Sequence, residues 1–108
     1  MIYELRVYQI LPGRMPAMLK RFETKTLKIW DRMGIRQVGF WTTVIGQSHL
    51  EFVYMLVWNS LAEREEKWNA FTQDPEWRQA LAESELDGII VGTAANTILS
   101  PTSFSALQ

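Results

Sequence analysis

Between Trp58 and Trp77 an apolar, strand-like run passes directly into two helices, each marked by its own cap. Ser60 followed three residues later by Glu63 forms a capping box, in which hydroxyl and carboxylate satisfy exposed backbone donors reciprocally, so a helix is expected from Leu61. Asp74-Pro75 starts a second. Proline loses no hydrogen bond at a first helical position, and the aspartate before it accepts from the amides of the next turn. Trp68, Phe71 and Trp77 then fall where these helices would face a sheet.

The rest of the chain supplies that sheet. Ile2 to Ile10 alternates, with Tyr3, Leu5 and Val7 on one face and Ile2, Glu4, Arg6, Tyr8 and Ile10 on the other, the period of two that a strand imposes. Pro12-Gly13 breaks this run. From Arg14 to Met33 the apolar residues, among them Met15, Met18, Phe22, Ile29, Trp30 and Met33, recur at helical spacing, and Gly34 follows as a helix-ending glycine. Arg36 to Ile45 and Glu51 to Trp58 read as a hairpin joined by the polar turn Gly46-Gln47-Ser48-His49. Leu86 to Gly92 is ambiguous, and Ala94 to Ser100 is the expected last strand.

The order strand, helix, strand, strand, helices, strand is the βαββαβ pattern of an α+β, ferredoxin-like domain: an antiparallel sheet with helices on one face. It occupies residues 1–101, with 102–108 as a C-terminal tail. At 108 residues the chain buries roughly 65% of its unfolded surface, a thin core. The second strand is normally a sheet edge, and Phe40, Trp41, Val44 and Ile45 leave it with little charge to discourage pairing. A homodimer that covers the free sheet face and these edges, a dimeric α+β barrel, is therefore expected.

Other classes are disfavoured. A net charge of -1 with scattered basic residues offers no footprint for nucleic acid. No apolar run approaches the ~20 residues that span a bilayer, and no membrane partner is expected. The absence of cysteine removes disulfides and thiolate chemistry, and the N-terminus lacks the layout of a signal peptide, so the cytoplasm is the expected location.

The segments Ile2-Tyr3-Glu4-Leu5-Arg6-Val7-Tyr8 with Pro12-Gly13, Gly39-Phe40-Trp41, Phe52-Val53-Tyr54, Ser60-Leu61-Ala62-Glu63-Arg64, Trp68, Phe71 and Asp74-Pro75-Glu76-Trp77 come in an order and spacing that resembles the NIPSNAP family of the dimeric α+β barrel superfamily. The resemblance covers nearly the whole chain. It implies a ferredoxin-like fold, a dimer and a cavity between sheet and helices. It does not imply one reaction, since superfamily relatives include cofactor-free monooxygenases and enzymes that bind haem or chlorite.

Glu4, Arg6 and Tyr8 share a strand face at about 7 Å intervals and are the candidate catalytic group. Arg6 would hold an anionic or enolic oxygen, Tyr8 would donate a hydrogen bond, and Glu4 would orient Arg6 or accept a proton. The same trio also reads as a structural ion pair at a dimer seam. Trp41, Tyr54 and Trp68, with Trp58, Phe71 and Trp77 nearby in pattern, are candidates to cage a small aromatic or hydrophobic molecule, or simply to pack a core. The lone His49 sits at a hairpin tip and makes a poor metal ligand, and nothing in the sequence calls for a metal or cofactor. The leading expectation is a small-molecule-binding dimer acting as a cofactor-independent monooxygenase or isomerase; the alternative is a non-catalytic homodimeric interaction protein.

Overall fold

The computed structural model describes all residues from Met1 to Gln108. Its elements are β1 (Ile2–Ile10), α1 (Met15–Arg21), a π-helical segment (Phe22–Thr26), α2 (Leu27–Met33), β2 (Arg36–Thr42), β3 (Glu51–Trp58), α3 (Leu61–Gln73), α4 (Pro75–Ser84) and β4 (Val91–Leu99). The four strands form one antiparallel sheet in the order β2-β3-β1-β4, the ferredoxin-like arrangement expected. No helix is long and apolar enough to cross a membrane.

Local chemistry accounts for the element ends. The Ser60 hydroxyl accepts from the Glu63 amide at 3.1 Å while the Glu63 carboxylate accepts from the Asn59 amide at 2.9 Å, closing the capping box one residue early on the return bond. Asp74 accepts from the Trp77 amide at 3.1 Å and so caps α4. Gly34 ends α2 in the left-handed region at φ 74°, a conformation that glycine adopts at no steric cost.

Several elements differ in detail from the sequence expectation. The helix over Arg14–Met33 is a single course, but Phe22–Thr26 winds as a π turn, and the Thr26 hydroxyl donates to the Arg21 carbonyl at 3.4 Å. Strand β2 stops at Thr42 rather than running to Ile45, and Val44 and Ile45 lie exposed in the following loop. A register shift between Gln37 and Gly39 throws Val38 out of the alternation, so Val38 and Phe40 do not share a face as a plain period of two would have it. The ambiguous stretch before the last strand resolves as a turn, with Ile90 buried and β4 starting at Val91.

All the helices lie on one face of the sheet. Beneath them Phe52, Tyr54, Leu56 and Trp58 of β3 meet Met18, Phe22, Ile29, Trp30 and Phe71 in one core cluster. Phe22, placed by the π segment, touches the rings of Trp30, Phe40, Phe52 and Tyr54 at centroid distances of 5.0 to 5.5 Å. The opposite face carries Leu5, Val7, Val53, Met55 and Val57, all half-buried and covered by no helix. The C-terminal tail crosses one end of it, where the Tyr3 hydroxyl donates to the Gln108 carbonyl at 2.7 Å.

Candidate functional site

Strand alternation turns Glu4, Arg6 and Tyr8 toward the helices, and antiparallel pairing sets Tyr54 of β3 opposite Arg6. Glu4 is completely buried at 0% exposure, and five donors meet its two oxygens. Arg64 donates from Nε to Oε1 at 2.8 Å and from Nη2 to Oε2 at 3.0 Å. Arg6 Nη1 donates to Oε2 at 2.8 Å, Asn96 Nδ2 to Oε2 at 3.0 Å, and the Trp58 indole to Oε1 at 3.0 Å. A buried carboxylate is tolerated only when so paired. Burial alone would raise its pKa, but the bonds from Arg64, Asn96, Trp58 and Arg6 outweigh burial and hold it down at about 2.

Arg6 links this carboxylate to two phenols. Its Nε donates to the Tyr54 hydroxyl at 2.7 Å, and the Tyr54 and Tyr8 hydroxyls lie 2.6 Å apart. The guanidinium lies 4.5 Å from the centroid of the Trp68 ring, a close cation–π contact. Burial works against the Arg6 charge, yet Tyr54, Tyr8 and Glu4 overcome it and raise its pKa, so Arg6 is a permanent cation. Burial, with Tyr8 adding to it, lifts the Tyr54 phenol well above its ordinary value despite Arg6 beside it, and it stays protonated. Nε and Nη1 of Arg6 are engaged by Tyr54 and Glu4, and the side chain keeps 12% exposure.

The structure therefore brings Glu4, Arg6, Tyr8, Tyr54 and Trp68 together. It does not bring Trp41. That residue pairs with Val53 on the opposite face of the sheet, half exposed, where its ring lies over Gly39; a Cβ at Gly39 would come within 2.8 Å of it. The expected cage of Trp41, Tyr54 and Trp68 is thus not formed, because β2 turns Trp41 outward. The expected open hollow between sheet and helices is filled instead by closely packed rings, most of them edge-on or tilted, and none of the four main surface clefts is lined by Glu4, Arg6, Tyr8, Tyr54 or Trp68. His49 is exposed in the loop, away from the cluster.

Arg64, not among the candidate site residues read from the sequence, donates to Glu4 at 2.8 Å. The signal for this was its phase: Arg64, Trp68 and Phe71 recur at four and three residues and so share one stripe of α3. Asn96 carried no comparable signal. Of the two parts expected of Glu4, the geometry supports the orienting one, since a carboxylate whose pKa is lowered to about 2 by bonded donors, two guanidinium groups among them, is a weak proton acceptor.

Comparison with known proteins follows the fold. None of the proteins of curated function matches this chain. The crystal structure of protein Atu4242 from Agrobacterium tumefaciens is 32% identical, with 100% of each chain covered and a TM-score of 0.85. A NIPSNAP family protein from the same organism, Atu5224, is 27% identical over 99% of this chain and 98% of its own, with a TM-score of 0.87. A protein provisionally described as an antibiotic biosynthesis monooxygenase, from Nitrosomonas europaea, covers 94% of this chain and 98% of its own at a TM-score of 0.64, but at 9% identity it shows the fold alone. The family model for NIPSNAP matches residues 3–106, end to end with the strand, cap and tryptophan pattern described above, and the chain belongs to the NIPSNAP family.

Proposed function

We propose that the chain forms a two-fold homodimer in which each protomer binds a small aromatic or hydrophobic molecule through an anionic or enolic oxygen, and acts on it as a cofactor-independent monooxygenase or isomerase. One observation carries this reading: the Arg6 guanidinium, held in place by Glu4 and Tyr54, lies beside two phenols 2.6 Å apart and keeps 12% exposure. A permanent cation and a hydroxyl in low-dielectric surroundings stabilise negative charge on a substrate oxygen far better than water does. The Trp68 ring against Arg6 supplies a flat apolar wall. In the oxygenase version the substrate provides the electrons and dioxygen is the oxidant. The protein's share is to polarise the substrate oxygen and keep water away. The ligand reaches the cluster from the side on which Arg6 remains exposed. A neighbour of this fold provisionally described as a monooxygenase supports the chemistry by analogy only.

Titration with soluble polyphenols, followed by tryptophan emission, tests the binding step, because Trp68 lies against the guanidinium. Saturable quenching is expected for the native protein, weakened in Tyr8→Phe and lost in Arg6→Ala that remains folded by circular dichroism. No saturable change in the native protein overturns the site. Binding without oxygen uptake or isomerised product overturns catalysis and leaves binding standing.

The packed interior favours a second reading, a non-catalytic homodimer whose surface is its function. No main cleft opens at the Arg6 cluster. On that reading Arg6→Ala changes stability alone.

A further inference from the structure

A second cationic group lies apart from the Arg6 cluster, in a cleft of about 330 Å³ between α1, the π segment and α4. One wall is formed by Arg14, just before α1, with Lys20 and Arg21 of α1 and Lys25 of the π segment; the other is α4 and the turn after it, with Glu83, Ser84 and Asp87. Ala17 and Ala80, both small, leave the space between the walls. None of these four cations makes an ion pair, whereas Arg6, Arg32, Arg36, Arg64 and Lys67 all do. Four of the six unpaired Lys and Arg side chains of the chain thus line one cleft.

Arg21 is the unusual member. It is only 6% exposed, yet no carboxylate bonds to it. Its Nη1 donates to the Ser84 hydroxyl at 3.1 Å, its guanidinium lies 5.3 Å from the Trp77 ring centroid, and its Nε is buried without a partner. Arg14 likewise has a buried, unpartnered Nε, and its Nη2 donates to the carbonyls of Ser84 and Gly88 at 3.1 and 3.0 Å. Burial lowers the pKa of Arg21, with Glu85 and the two phenols opposing and Arg14 adding to the fall. A desolvated guanidinium with no counter-charge is costly, and the usual remedy is an anion. The carbonyl end of α4 supplies only about half a negative charge, and the three carboxylates Glu83, Glu85 and Asp87 against four cations still leave a positive excess.

We propose that this cleft is an anion site that takes a phosphate group carried by a small molecule. The donors are the guanidinium groups of Arg14 and Arg21 and the ammonium groups of Lys20 and Lys25, while the Ser84 hydroxyl gives its proton to the Leu81 carbonyl at 2.8 Å and accepts from Arg21. Such a set suits a tetrahedral, doubly charged oxyanion better than a planar carboxylate. The volume exceeds that of a bare ion and leaves room for an organic portion.

Calorimetric titration of the full chain with inorganic phosphate and with phenyl phosphate tests this, with chloride at matched ionic strength as blank and succinate as the carboxylate comparison. Saturable binding of both phosphates is expected, tighter for the ester. The exposed pair Lys20→Gln with Lys25→Gln, which leaves the interior untouched, is expected to weaken it about tenfold or more. Arg21→Met keeps the packed stem and removes the buried charge, so it is expected to fold at least as stably as the native chain while losing phosphate binding. The proposal is overturned if neither phosphate binds saturably, if both sets of variants bind as the native protein does, or if succinate binds as tightly as phosphate.

Discussion

Glu4 is the residue on which the interior polar network turns, since five hydrogen bonds from four side chains converge on one carboxylate. Period-two alternation made its face legible and put Arg6 and Tyr8 beside it. Arg64 and Asn96 come from an α3 stripe and from β4, and a carboxylate on one strand does not declare which distant donors it will meet. The energetic consequence follows from its titration. The folded value, about 2, lies below the ordinary 4.5, so the stabilisation is fully present above about pH 4.5 and is lost as the pH falls toward 2. A shift of this size is worth about 3 kcal/mol. Glu4→Gln is therefore expected to lose about 3 kcal/mol in urea unfolding at neutral pH, because two guanidinium groups lose their counter-charge. Near pH 2 the variant and the native protein should converge; a gap that stays constant with pH would contradict the ion-pair account.

At the scale of elements, the features that were legible are those fixed by short-range chemistry. The starts of α3 and α4, at Leu61 and Pro75, follow from Ser60 and Asp74 because a cap needs only its own turn. The π segment was not legible. Its residues Phe22–Thr26 continue a helical apolar pattern, and a wider turn shifts phase by less than the pattern resolves. The early end of β2 was hidden for a related reason: Val44 and Ile45 have strand character, but no neighbour in the sheet pairs with them. The caps give an elementary prediction. Ser60→Ala removes the acceptor of the Glu63 amide and should cost about 1 kcal/mol, read as a lower urea midpoint with an unchanged slope. Asp74→Ala should cost more, since Asp74 also accepts from Arg32 Nη2 at 2.9 Å, although that partner is half exposed and adds little.

As a whole molecule the protomer is a slab, 45 × 36 × 19 Å, with a radius of gyration of 14.5 Å against about 13 Å for a compact domain of its length. Only 17 of its 108 residues are buried, because one sheet face has helices and the other has none. That bare face centres on Val7 and Val53, paired in register, with Leu5, Met55 and Trp41 around them. The proposed dimer would place two such faces together. A standard interface removes roughly 800 Å² per partner, a modest share of the 6751 Å² this protomer exposes. Light scattering is expected to give twice the chain mass at micromolar concentration. Val53→Asp sets a charge at the centre of the face without touching the helix side, where Phe52 and Tyr54 pack. It should weaken association by about 3 kcal/mol, about a hundredfold in Kd, while far-ultraviolet circular dichroism stays native. A native chain that scatters as a single protomer, or a Val53→Asp variant that remains a dimer, would show that the exposed valines are covered some other way, and the barrel would have to be abandoned even though the helix-side core stood unchanged.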